Sequence, residues 1–163
     1  MINSSVSLFE IPEDFFMVMS KLKVLNLSNM QRLSLPSSLD FLTNLQTLCL
    51  DYSEIKDVAI IGTLRKLKVL SLQGSNIKEL PTEMGQLTQL RLLDLSNCGQ
   101  LEFIVSNVIS KLSQLEELYI KGCCIQWKVD VLKELKHLSQ LTSLEIDIED
   151  NKMLLKDFLF QRA

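Results

Sequence analysis

The chain has 163 residues, 47% apolar and 23% charged, with a net charge of -3. This balance excludes a disordered polymer and provides for one continuous core, and 17 basic residues spread against 20 acidic ones leave no basic stripe for nucleic acid. No apolar run approaches the roughly 20 residues that span a bilayer, and MINSSVSLFE lacks the regions of a signal peptide, so the chain reads as cytoplasmic with no membrane span.

Residues 1 to 21 hold an Ile-Pro step and the apolar Phe15, Phe16 and Met19 with no strand before them, which reads as half of a repeating unit. The chain is therefore expected to begin inside a longer array, as a fragment or a truncated product. From Leu22 the pattern L-x-x-L-x-L recurs: LKVLNL at Leu22, LQTLCL at Leu45, LKVLSL at Leu67, LRLLDL at Leu90, LEELYI at Leu115 and LTSLEI at Leu141. The alternation at L-x-L is the period of a half-buried strand. One unit cannot bury its own leucines, but parallel stacking of successive units can. The fold class expected is an α/β repeat, a curved leucine-rich-repeat solenoid with parallel concave strands and a convex side of loops and short helices. Strands should start near residues 24, 47, 69, 92, 117 and 143. Residues 1–163 then form one leucine-rich-repeat domain fragment with no second domain.

The connections vary along the chain. After the first strand, Leu33, Leu35-Pro36, Leu39 and Leu42 descend inward; Pro36 fixes the bend. The second connection is the least regular, since Ile55 takes the turn position and DVAIIGTLRK replaces Leu-Pro, so that Val58, Ile60 or Ile61, and Leu64 must fill the convex layer. Ile77, Leu80-Pro81, Met84 and Leu87 restore the regular form. In the fourth, Val108, Ile109 and Leu112 predict a short helix capped by Ser106. The fifth offers Val129, Leu132, Leu135 and Leu138 at three-residue steps with lysines and Glu134 between them, an amphipathic helix of about three turns. Beyond the sixth strand, IEDNKMLLKDFLFQRA supplies apolar residues for another connection and no further strand, so this end also looks cut.

Chemistry-bearing residues are sparse. Cys49 falls in a strand, Cys98 at a turn position where such repeats bury a small residue, and Cys123 and Cys124 are adjacent. They form no C-x-x-C pair and no Cys/His spacing for zinc, and read as reduced structural thiols. Asn3-Ser-Ser and Asn26-Leu-Ser match the glycosylation tripeptide, which carries little weight without a secretory route. His137, the only histidine, reads as a solvated helix residue. Asp147, Glu149 and Asp150 lack the glycine and spacing of a calcium loop and read as a solvated acidic turn. With no G-x-S-x-G and no glycine-rich phosphate loop, neither catalysis nor a cofactor or metal is expected.

What remains is surface. On the concave strands the outward positions are small and neutral early in the chain, as at Asn26, Thr47 and Ser71. Later they concentrate Asp94, Glu117, Tyr119, Lys121, Glu145 and Asp147, the candidate partner-binding residues. Six strands about 4.8 Å apart and about 15 Å of usable width give a strip of roughly 400 Å². That is near half of the about 800 Å² that one partner contributes to a stable interface.

The mixture LPTEMGQLTQLRLLDLSNCGQLEFI, VISKLSQLEELYI, the tryptophan of CIQWKVD and LKELKHLSQLTSLEI resembles the leucine-rich-repeat region of plant disease-resistance proteins of the coiled-coil, nucleotide-binding class. The resemblance covers nearly the whole chain and is most specific over 85–146. It implies an intracellular immune receptor whose nucleotide-binding domain is held off by the repeats, which also sense a pathogen effector or a host target. The pattern G-x-x-x-x-G-K-[ST] of that domain is not in this sequence, so no ATP site is carried over. A generic intracellular scaffold binding a signalling GTPase or kinase is the alternative. An extracellular receptor would carry G-x-I-P in each unit and paired cap cysteines, and neither occurs.

Overall fold

The computed structural model describes residues 10–147. Its strands are β1 (Val24–Asn26), β2 (Thr47–Cys49), β3 (Val69–Ser71), β4 (Glu79–Leu80), β5 (Leu92–Asp94), β6 (Phe103–Ile104), β7 (Glu117–Ile120) and β8 (Ser143–Ile146). Six of them form one parallel sheet in the order β1-β2-β3-β5-β7-β8, one strand per repeat and each start where the leucine pattern sets it. Register follows the repeat, so Leu48 lies opposite Leu25 and Leu70, and Leu93 opposite Leu70 and Leu118. Leu70, Leu72, Leu93, Leu95 and Leu118 are buried to 1% exposure or less, which places the alternate leucines of the central repeats in one core, while at the ends Leu25 is only partly buried and Leu144 is 41% exposed.

Two features recur just past the strands of the main sheet. The backbone turns through positive φ at Asn29 (63°), Tyr52 (54°), Gly74 (66°), Asn97 (61°) and Gly122 (73°). Asparagine and glycine tolerate this region, whereas a bulky tyrosine is out of place there. Gly74 also lacks room for a side chain, because a Cβ would sit 2.5 Å from the Tyr52 ring. One residue further on, past β2, β3, β5 and β7, a small side chain turns inward and bonds back to the previous repeat. Ser53 and Ser75 donate to the carbonyls of Leu27 (3.2 Å) and Leu50 (2.8 Å), and the Cys98 and Cys123 thiols to those of Leu72 and Leu95 (both 3.0 Å). These bonds satisfy carbonyls that leave the strand ladder inside the core.

The convex side is built of 3-10 turns at Ser37–Phe41, Ala59–Thr63, Thr82–Gln86 and Ile109–Lys111. A short α1 (Val129–Glu134) follows, tightening into a 3-10 turn at Leu135–His137. Leu39, Ile61, Met84 and Ile109 anchor the turns in the core. Of the pair left open by the sequence, Ile61 is fully buried and Ile60 only partly. The second and third connections touch at Gly62, where a Cβ would meet the Glu83 carbonyl oxygen at 2.4 Å.

Several expectations are corrected. The inward stripe of the fifth connection is Val131, Leu132, Leu135 and Leu138, while Val129 is 36% exposed. A strict three-residue step drifts around a 3.6-residue helix, so Val131 replaces Val129 on the buried face. Glu134, expected outside among the lysines, is buried at 6% exposure. The helix is also shorter than three turns. The fourth connection begins its turn at Ile109, and Ser106 caps nothing; Glu134 bonds the free N–H groups of Asn107 and Ser110 instead. In the opening half repeat Phe16 is buried, but Phe15 is 48% exposed and stands edge-on to it at 5.0 Å. A small flank sheet pairs β4 with β6, and a single bridge joins Leu33 to Ile55, neither of which the sequence announced. The segment beyond Asp147 expected to form another connection lies outside the described residues.

Candidate protein-recognition face

Parallel register aligns the outward side chains in rows. Asp94 pairs with Tyr119 and Tyr119 with Glu145, so these three stand side by side across β5, β7 and β8. A second row runs Leu92, Glu117 and Ser143. Glu117 and Tyr119 lie two residues apart on one strand, hence on the same face. The Tyr119 hydroxyl donates to Glu117 Oε2 at 2.5 Å. That bond, with the Glu145 charge beside it, holds the phenol above its ordinary 10.0 and fixes it as a neutral donor. The arrangement is a pinned, partly buried aromatic flanked by carboxylates.

The other candidates sit at the rim of this group. Lys121 follows β7 and is exposed, and its carbonyl accepts the Asn97 N–H at 2.7 Å. Asp94 turns one carboxylate oxygen to the Ser96 N–H at 2.8 Å. Asp147 is more than a solvated acidic residue: its carboxylate accepts the Gly122 N–H and its carbonyl the Trp127 indole N–H, both at 2.8 Å. Asp94, Glu117, Tyr119 and Glu145 are thus brought together, with Lys121 and Asp147 closing the C-terminal rim. Earlier strands are self-satisfied. Asp51 accepts the Ser71 hydroxyl at 2.5 Å and the Gln73 N–H at 3.1 Å, tying β2 to β3.

Sequence reading missed the Arg91–Glu116 ion pair at 3.6 Å, just ahead of β5 and β7. Both side chains are about half exposed, so the pair contributes little to stability. It also missed a cleft of about 790 Å³ on the flank, lined by Ile11, Arg32, Glu54, Ile55, Lys56 and Asn76 among others. A second cleft of about 540 Å³ shares Ile55, Lys56 and Asn76 with it and lies where the flank sheet is interrupted. The irregular second connection, which has no Leu-Pro, was the available signal. His137 is exposed, and among the described residues no group of three or more His, Cys, Asp or Glu is placed to hold a metal. No helix among them is long and apolar enough to cross a membrane.

Comparison with solved structures places this geometry among known solenoids. A leucine-rich-repeat protein of Leptospira interrogans is 28% identical with a TM-score of 0.56, over 78% of this chain and 41% of that one. The plant peptide hormone receptor RGFR1, solved in complex with RGF2, is 25% identical with a TM-score of 0.62, over 85% of this chain and 26% of that one. The Arabidopsis thaliana receptor kinase ectodomain GASSHO1/SCHENGEN3, solved with Casparian strip integrity factor 2, has a TM-score of 0.67 at 22% identity, over 84% and 16%. This chain spans well under half the length of each. A search of curated proteins gave no match. The family model described as a leucine-rich repeat region matches residues 22–161. With that match over most of its length, the chain belongs to the leucine-rich-repeat family, whose solenoids generally serve protein-protein recognition.

Proposed function

We propose that this chain is the recognition and regulatory segment of an intracellular plant immune receptor, acting through the concave face of β5, β7 and β8. The observation that carries the reading is the row Asp94, Tyr119, Glu145 with Glu117 bonded to the tyrosine. A partly exposed aromatic held in one orientation loses little entropy on contact, which is what an interface anchor requires. The face is acidic apart from Lys121, so it favours a protein partner presenting basic groups. Catalysis has no part in the reading. The four free cysteines accord with a reducing compartment. The plant-receptor assignment rests on the resemblance over 85–146, and the partner class follows from it: a pathogen effector, a host target, or the nucleotide-binding domain that the repeats restrain.

A strip of roughly 400 Å² supplies about half of a stable interface, so the segment works as part of a longer horseshoe. Two experiments test the proposal. The coding region upstream in the same gene should contain G-x-x-x-x-G-K-[ST]; a gene without it removes the immune-receptor reading and leaves the generic scaffold for a signalling GTPase or kinase. Where that domain is present, co-expressing it with this chain should give a co-precipitating pair weakened by Tyr119→Ala with Lys121→Ala.

A further inference from the structure

The fourth and fifth repeats differ from the second and third at one buried position. Where Ser53 and Ser75 stand, these repeats carry Cys98 and Cys123, and each thiol keeps the backbone bond of the serine it replaces. Both cysteines follow their strands at the same offset: Asp94 pairs with Tyr119, and each cysteine lies four residues later. They are therefore neighbouring rungs, one strand spacing of about 4.8 Å apart. A disulfide is accommodated when the Cα atoms lie within about 4.4–6.8 Å. The two thiols also influence each other's ionisation, Cys98 being held above the ordinary thiol range and Cys123 below it.

We propose that Cys98 and Cys123 form a reversible disulfide site, closed by a low-molecular-weight disulfide such as oxidised glutathione. Cys123 is half-buried and Cys98 fully buried, so Cys123 is the attacking group. It loses its proton, and its sulfur attacks one sulfur of the small disulfide, breaking that S–S bond and releasing one glutathione thiolate. Cys98 then loses its proton and its sulfur attacks Cys123 Sγ, which expels the second glutathione. Two protein thiols are oxidised, one small disulfide is reduced, and the two protons end on the two departing thiols. The cross-link replaces the two thiol bonds to the Leu72 and Leu95 carbonyls. It ties together the repeats of β5 and β7, which carry Asp94, Glu117, Tyr119 and Lys121. The proposal stands whether or not that face is the recognition surface.

The test equilibrates the purified, reduced chain in mixtures of oxidised and reduced glutathione, alkylates the free thiols, and maps peptides by mass spectrometry without reduction. The expected product is a Cys98–Cys123 link within one chain that survives Cys124→Ser, is lost in Cys123→Ser, and reverts when reduced glutathione is restored. The Cys98→Ser, Cys123→Ser double variant places serine where the second and third repeats already have it, and its melting temperature should not respond to the oxidant. Glutathione retained on Cys123 or Cys124 with Cys98 still alkylated would overturn the proposal. So would a Cys123–Cys124 bond or a link between two chains through Cys124. The map of the parent chain decides the matter alone.

Discussion

The Glu134 carboxylate of the fifth connection accepts the N–H of Asn107 at 2.5 Å and of Ser110 at 3.0 Å in the fourth. A 3-10 turn leaves its first N–H groups without partners, and here the neighbouring repeat supplies the acceptor. Removing the carboxylate leaves two donors unsatisfied in a largely closed environment. Glu134→Ala should therefore cost about 1–3 kcal/mol in a urea melt, with Glu134→Gln costing less because one oxygen still accepts. Equal loss in both variants would show that the charge, not the acceptor geometry, is what the site needs.

Leu93 sits in the middle strand of its neighbourhood, opposite Leu70 and Leu118, and is 1% exposed. Truncation to alanine opens a cavity that two adjacent repeats share. The expected cost is roughly 2–5 kcal/mol. A thermal melt that overlays the parent would contradict the assigned register.

Gly62 lies against the Glu83 backbone, and the carbonyl oxygen there cannot rotate away as a side-chain tip would. Gly62→Ala should lower the melting temperature although alanine is the mildest replacement. The same change at Gly99, where a Cβ meets nothing within 4 Å, is the matched control. Equal melts for the two variants would show that the second and third connections are not in close contact.

The phenol of Tyr119 is held above 10.0 first by its bond to Glu117 and further by the charges of Glu117 and Glu145. A raised folded value means that the neutral form is the one the fold favours. Its contribution is complete below 10.0 and is lost as pH climbs through the raised value. Glu117→Gln should bring the Tyr119 titration, followed by ultraviolet absorbance, back toward 10.0. An unchanged titration would place the tyrosine hydroxyl away from Glu117 in solution.

Much of the fold was legible because the solenoid is specified by one local pattern repeated. L-x-x-L-x-L fixes strand position, alternation fixes which leucines are buried, and the common place of each strand within the pattern fixes the register that sets Asp94, Tyr119 and Glu145 in one row. What escaped was set between repeats. Glu134 looks like a surface residue until the orphan N–H groups of the preceding turn are in place. Val131 takes the buried place expected of Val129 because a three-residue step drifts around a 3.6-residue helix. The flank sheet of β4 and β6 depends on two connections of similar path, which no single stretch of sequence reveals. Tyr119 could be named as a candidate from its position, but its bond to Glu117 required the side-chain geometry.

The central claim is that protein partners meet the face of β5, β7 and β8. Co-precipitation with an identified protein partner, or with a nucleotide-binding domain where the same gene encodes one, compares the parent with Tyr119→Ala plus Lys121→Ala. A convex-side control changes Gln86→Ala and Lys111→Ala. The account predicts that the first pair loses association, that the control retains it, and that both keep the parental melting temperature. Retained association in the folded concave variant together with loss in the convex control would contradict it.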